Sequence, residues 1–124
     1  VTGDGGLDEL SITGPNTIHT VTLDGITTSQ VSPEQVGLKR ATEEEIYGGD
    51  AKVNAQIAFQ VLQGDTGPKR DIISLNAGAG LVVAGIAKDL NEGVERANAA
   101  IDSGAAFKCL NNLQILIKSM GDND

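Results

Sequence analysis

At 124 residues and 12.8 kDa, the chain has the length of one domain and no room for two ordinary ones. Apolar residues make up 40%, enough for a domain of this size to bury about two thirds of its unfolded surface without disulfide staples. Nine basic residues against seventeen acidic ones give a formal charge of −8, and Trp is absent, with only two Phe and one Tyr. These figures argue against a nucleic-acid binder, which needs a basic face and stacking rings, but they leave room for a phosphate ligand carried by metal ions.

Along the chain, strands are expected first and helices after, an α/β pattern. Thr17 to Leu23 is rich in β-branched residues, Asp24-Gly25 is a favoured type I′ turn pair, and Ile26 to Val31 supplies a returning strand, so a hairpin is expected. Ser32-Pro33-Glu34-Gln35 offers an N-cap, a proline at the first helical position and a capping-box partner, enough for one short helical turn. After Gly48-Gly49, Asp50 caps a helix in which Val53, Ile57 and Val61 form one row and Ala58 and Leu62 the next, closed by Gly64 to Pro68. Asp71 to Leu90 is nearly all apolar and small, despite Gly78, Gly80 and Gly85. It reads as a buried helix, with a strand over Ile72 to Leu75 as the alternative. Leu90, Val94, Ala97 and Ile101 form an amphipathic row ending at Ser103-Gly104, and Ala105 to Met120 places Leu110, Leu113 and Ile117 on one face. The chain thus divides into a folded 1–120 and a polar tail, 121–124, expected to fray.

Cysteine and terminal features narrow the setting. Cys109 stands alone, reads as a small core residue, and gives no sign of an oxidising compartment, so a cytoplasmic location is expected. The first residue is Val1 with no signal-peptide pattern after it, which suits a processed chain or a piece of something longer. No apolar run approaches the length needed to span a bilayer, and no membrane partner is expected.

The most suggestive chemistry lies in Gly3-Asp4-Gly5-Gly6-Leu7-Asp8-Glu9-Leu10-Ser11. Glycines let the backbone turn close to a ligand, and two adjacent carboxylates follow. On a regular strand Asp8 and Glu9 would face opposite ways, so they would chelate one ion only where the strand ends, or else reach two ions or act through waters. Magnesium suits such a place, because it keeps several waters and takes one or two carboxylates plus phosphate oxygens. The same dipeptide beside glycines is also what a solvated turn looks like.

Other candidates carry weaker signals. Asn76-Ala77-Gly78-Ala79-Gly80 fails the dinucleotide-loop spacing, since Val83 stands where the third glycine belongs, and small residues for close packing are the plainer reading. Gly48-Gly49-Asp50 could hold an anion at a helix start, but Asp50 competes for the same donors. His19 has no second His or Cys nearby, so neither a zinc site nor a histidine-based triad is supported. Glu43-Glu44-Glu45 reads as a solvated face, and Lys69-Arg70 as surface charge or a phosphate contact.

Taken in order, these segments resemble the C-terminal part of the anthranilate phosphoribosyltransferase family. The resemblance rests on Gly6-Leu7-Asp8-Glu9-Leu10-Ser11, Gly14-Pro15, Pro33-Glu34 with Gly37-Leu38, and Gly48-Gly49-Asp50 with Asn54-Ala55. It continues through Arg70-Asp71-Ile72, Leu75-Asn76-Ala77 and Ala100-Ile101-Asp102-Ser103-Gly104. It implies a partial phosphoribosyltransferase or nucleoside-phosphorylase-like domain, with short strands and a hairpin followed by packed helices. It further implies transfer of phosphoribosyl from phosphoribosyl pyrophosphate to anthranilate, releasing pyrophosphate in tryptophan biosynthesis. Magnesium is the implied cofactor, and Asp8 and Glu9 match the family's acidic metal pair; no protein nucleophile is implied.

The family's glycine-rich substrate loop, its Lys-His-Gly-Asn-Arg segment and its anthranilate-contacting arginine have no counterpart in these residues. Nor does the small helical domain through which the family dimerises. Thr2 stands where a histidine is common. The expectation is therefore of a transferase as the parent, an inactive isolated piece with no catalytic or substrate-contacting residue assigned, and an apolar surface inviting self-association. A pyrimidine-nucleoside phosphorylase and a non-catalytic paralogue of the same fold are the alternatives.

Overall fold

A computed structural model describes Val1 to Gly121; the remainder of the expected frayed tail lies outside the described residues. Asn16–Thr22 (β1) and Gly25–Val31 (β2) form an antiparallel pair, with Asn16 opposite Val31 and Thr22 opposite Gly25. The hairpin is where the β-branched residues placed it, but its turn is Leu23-Asp24, not Asp24-Gly25. Among the described residues no non-glycine has a positive φ, so the type I′ geometry is absent. Gly25, at φ +131°, absorbs the reversed twist from the first position of the returning strand. These are the two strands of the one sheet among the described residues.

A 3₁₀ turn at Pro33–Val36 follows, closed by the expected capping box: the Ser32 N–H donates to Gln35 Oε1 at 2.7 Å. Five α-helices come after it among the described residues: Glu43–Ile46 (α1), Ala51–Leu62 (α2), Pro68–Val83 (α3), Leu90–Asp102 (α4) and Ala105–Gly121 (α5). Asp50 caps α2, its Oδ1 accepting from the Val53 N–H at 2.9 Å, and Asp89 caps α4 on Glu92 in the same way.

The long apolar run after Asp71 is helical, and the strand alternative falls. The helix is shorter than expected, stopping at Val83 rather than Leu90. There Gly85 and Ile86 donate back to Val82 and Leu81 at 3.0 and 2.9 Å, a Schellman ending that turns the chain into α4. Nor is the helix buried all round: Arg70, Ser74, Leu75 and Gly78 face inward, while Val83 is exposed.

The helices α3 and α4 cross closely through two glycines. A Cβ at Gly78 would stand 2.7 Å from the Val94 nitrogen and 2.8 Å from the Gly93 carbonyl carbon, so the small residues of 76–80 serve packing, as their failed loop spacing suggested. The core is built on Leu10, Ile12, Val36, Leu75 and Val94, with Ile18, Val31, Leu38 and Ile72 against it. It therefore joins α3 and α4 to the irregular segment that carries the acidic pair.

One expectation for the C-terminal helix needs correction. Cys109 is exposed, not a core residue. The row Leu110, Leu113 and Ile117 meets no partner beyond the first turns among the described residues: Leu113, Ile115, Leu116, Ile117 and Met120 stand 51 to 68% exposed. The start of α5 is tied down by Phe107, which packs edge-on against Phe59 of α2 at 6.1 Å.

Candidate functional site around Asp8 and Glu9

Residues 3 to 15 have no regular strand, so their buried backbone groups need other partners. Leu10, Ser11 and Ile12 are fully buried in this stretch. Two asparagine side chains take the place of neighbouring strands. Asn16 accepts from the Ser11 N–H at 2.6 Å and donates to the Ser11 carbonyl at 2.9 Å. Asn76, from the middle of α3, accepts from the Leu10 N–H and donates to the Leu10 carbonyl, both at 2.8 Å.

The start of the loop is closed on itself. Gly3 donates to the Leu7 carbonyl at 2.8 Å, and a Cβ at Gly3 would overlap the carbonyl oxygen of Glu9, so no larger residue fits there. Asp4 accepts from the Thr13 hydroxyl at 3.0 Å, and Thr13 pairs in turn with Ser11 at 2.8 Å. Asp4 is thereby engaged within the loop.

Asp8 and Glu9 sit at the exposed bend of this construction, just before the clamped Leu10. Neither carboxylate makes a hydrogen bond or ion pair within the described residues. The pair does not lie on a strand, so strict alternation of faces does not apply to it. No third acidic, His or Cys side chain joins them: the described residues hold no such group of three. The donor set is therefore two exposed oxygen ligands. That fits a hard cation completing its shell with water and phosphate oxygens, and does not fit a closed protein cage.

Glu9 opens onto a cleft of about 420 Å³, shared with Asn76 and Ile72 of α3, Asn54 of α2, Gly48 and Lys69. The Gly48-Gly49 turn is fixed by Asn54, which accepts from the Gly49 N–H at 2.8 Å and donates to its carbonyl at 2.9 Å. Lys69 donates to the Tyr47 carbonyl across the same rim. The cleft thus gathers one carboxylate, one ammonium and two amides, drawn from segments far apart in the chain.

Other residues singled out earlier lie elsewhere or serve the fold. His19 pairs with Thr28 on the exposed hairpin, Nδ1 to Oγ1 2.9 Å. Asp50 is occupied as a cap, which removes an anion site at that helix start. Arg70 is buried rather than surface charge: it meets Asp102 at 2.8 Å and donates to Asn98 Oδ1 at 3.0 Å, and Ser74 donates to that same oxygen at 2.9 Å. Neighbouring Asp71 has its carboxyl pushed above the usual range by burial, against the opposing charges of Arg70 and Lys39. Glu43 to Glu45 are solvated, as expected.

The residue that reading the sequence missed is Asn76. Its signal was an amide one turn after Ile72 on the inward side of an apolar helix, where a polar group needs a partner.

The family described as the glycosyl transferase family, a/b domain, matches residues 1–107. The anthranilate phosphoribosyltransferase of Geobacter sp. (strain M21) is 49% identical over 116 residues, covering 94% of this chain and 33% of that protein. Its counterpart from Azospirillum brasilense is 46% identical over 124 residues, covering 100% of this chain and 35% of that one. Among solved structures, the enzyme of that name from Thermus thermophilus superposes with a TM-score of 0.78 at 39% identity. The one from Saccharomyces cerevisiae in complex with PRPP and Mg superposes with a TM-score of 0.79 at 28% identity. Each structural match covers 89% of this chain and 32% of the other. The chain therefore spans about a third of the length of the relatives it matches.

Proposed function

The chain belongs to the glycosyl transferase family, a/b domain, and from that premise we propose that it is the C-terminal portion of an anthranilate phosphoribosyltransferase. Residues 1–120 would form the latter part of its large α/β domain. The reaction is transfer of phosphoribosyl from phosphoribosyl pyrophosphate to anthranilate in the cytoplasm. The observation that carries the reading is the pair Asp8 and Glu9, adjacent, exposed and unengaged, with Glu9 on a cleft whose lining includes Gly48, Asn54, Ile72 and Asn76 of the family resemblance.

As the bond between the anomeric carbon and pyrophosphate breaks, negative charge grows on the leaving group. Magnesium, when bound, supplies positive charge against that oxygen cluster. Asp8 and Glu9 would hold the cation on the protein side through their carboxylate oxygens. The loop fixes the backbone that carries the two carboxylates, which limits the reorganisation left for the transition state. No side chain of the chain has to attack carbon, since the incoming amine is itself the nucleophile. His19, paired with Thr28 on the exposed hairpin, has no role in the step. Because the chain spans about a third of its relatives' length, residues 1–124 alone are proposed to be inactive.

The test is an assay of anthranilate consumption with phosphoribosyl pyrophosphate and magnesium, using a polypeptide that carries this chain within the full length of its relatives. Turnover is expected, and the double variant Asp8→Asn/Glu9→Gln should lower kcat/KM about a hundredfold or more and weaken the magnesium dependence. Unchanged magnesium dependence would overturn the metal assignment. Magnesium-dependent binding of phosphoribosyl pyrophosphate by calorimetry separates this reading from a non-catalytic paralogue, which should bind none.

A further inference from the structure

We propose that Asn76 is the positioning residue for the acidic pair, holding the bend that carries Asp8 and Glu9, with Glu9 on the cleft, through the backbone of Leu10. The inference rests on the metal reading above and goes beyond it, because Asn76 itself is not a ligand. Both of its donors are committed: Oδ1 accepts from the Leu10 N–H at 2.8 Å, and Nδ2 donates both to the Leu10 carbonyl at 2.8 Å and to the Ile72 carbonyl at 3.0 Å. The bond to Ile72, on its own helix, fixes the orientation of the amide. The two bonds to Leu10 span 66 residues and fix that residue's backbone at both its donor and its acceptor.

The clamp matters because of what it joins. Asn16 holds the next residue's backbone from only five residues away, so it ties the loop to the hairpin and not to the helices. Among the described residues, Asn76 alone connects the segment by hydrogen bonds to α3, the helix whose Lys69, Ile72 and Ile73 wall the cleft. Glu9 is one residue before the clamped Leu10, and the Gly3 backbone packs against the Glu9 carbonyl so closely that a Cβ would not fit between them. Without Asn76, the Leu10 N–H and carbonyl would be buried without partners or would have to reach water. Either outcome loosens the bend that presents the carboxylates.

The isotope-labelled polypeptide that carries this chain within the full length of its relatives allows the test, with Mn²⁺ alone as the probe, read by paramagnetic broadening of amide signals. In the unsubstituted chain, broadening is expected to centre on residues 8 to 10, and Asp8→Asn/Glu9→Gln should abolish it. In Asn76→Ala, with Asn76→Ser as the milder change, the Mn²⁺ concentration giving half-broadening should rise about fivefold, the cost of ordering roughly one freed residue. Leu10 amide exchange should quicken by about tenfold, while signals from the α3–α4 crossing stay in place.

Broadening absent from residues 8 to 10, or unmoved by the double variant, would overturn the metal reading and this inference with it. Broadening abolished by the double variant but unchanged in both Asn76 variants would overturn the positioning role and leave the metal reading standing. Loss of the dispersed spectrum in both Asn76 variants would also overturn it, by making Asn76 a requirement for folding and not for placement.

Discussion

Alanine at Gly78 is expected to force α3 and α4 apart. The added Cβ would stand 2.7 Å from the Val94 nitrogen and 2.8 Å from the Gly93 carbonyl carbon, and both obstacles are backbone, with no rotamer to escape into. Ordinary contact begins near 3.4 Å, so the helices must part locally by about 0.7 Å. A gap of that size forfeits about a quarter to a half of the dispersion attraction between the atoms it separates, and Leu75 and Val94 of the core lie beside the crossing. Overpacking of this kind costs about 1–3 kcal/mol, here near the upper end, and the better helix propensity of alanine returns up to about 1 kcal/mol. A net loss of about 2 kcal/mol follows, or a fall in Tm of about 8 °C for a domain of this size. Gly80, two residues on in the same helix, has nothing within 4 Å of its would-be Cβ, so Gly80→Ala should gain stability from propensity alone. Thermal unfolding of both variants by circular dichroism gives the answer. A Gly78→Ala protein as stable as the parent, or both variants shifting in the same direction, would refute the close-crossing argument.

Further outcomes follow from the charged groups and from α5. Asp102→Ala should cost about 1 kcal/mol in urea unfolding, because the Asp102 carboxylate is 61% exposed and screened by water, while the Arg70 guanidinium, 9% exposed, keeps its bond to Asn98 Oδ1. Glu92 has its carboxyl held below the usual range, first by the Lys88 N–H and then by Arg96. Its contribution is therefore present above the ordinary carboxylate value and lost as pH falls through the lowered one. The advantage of the parent over Glu92→Gln should shrink on acidification. Asp71, raised by burial, has the opposite sign: its ionisation costs stability as pH rises past the ordinary value, so in urea unfolding Asp71→Asn should gain on the parent between about pH 3 and pH 7. The apolar face of α5 should drive concentration-dependent association, visible by light scattering; a clean monomer at about millimolar concentration would contradict it.

Local signals in the sequence located most elements because each is set by nearby residues. The capping box at Ser32, the Asp50 cap and the amphipathic row from Leu90 to Ile101 need no tertiary information. What was illegible depends on contacts between distant segments. The shift of the hairpin turn to Leu23-Asp24 follows from the register of the whole strand pair. The exposure of Cys109 follows from what α5 does not pack against. Arg70 looked like surface charge until Asn98 and Asp102, 28 and more residues away, closed around it. At the candidate site, Asp8 and Glu9 were visible as adjacent carboxylates beside glycines. That they sit on a bend and not on a strand, and that Asn76 holds that bend from 66 residues away, required the fold.

The central claim is that Asp8 and Glu9 together hold the cation of a phosphoribosyl transfer. Its most direct measurement is the magnesium dependence of anthranilate consumption by the polypeptide that carries this chain within its relatives' full length, with and without Asp8→Asn/Glu9→Gln. A large fall in kcat/KM, with the half-saturating magnesium concentration displaced upward in the variant, is the predicted result. Equal rates and superimposable magnesium curves for the two proteins would contradict the account.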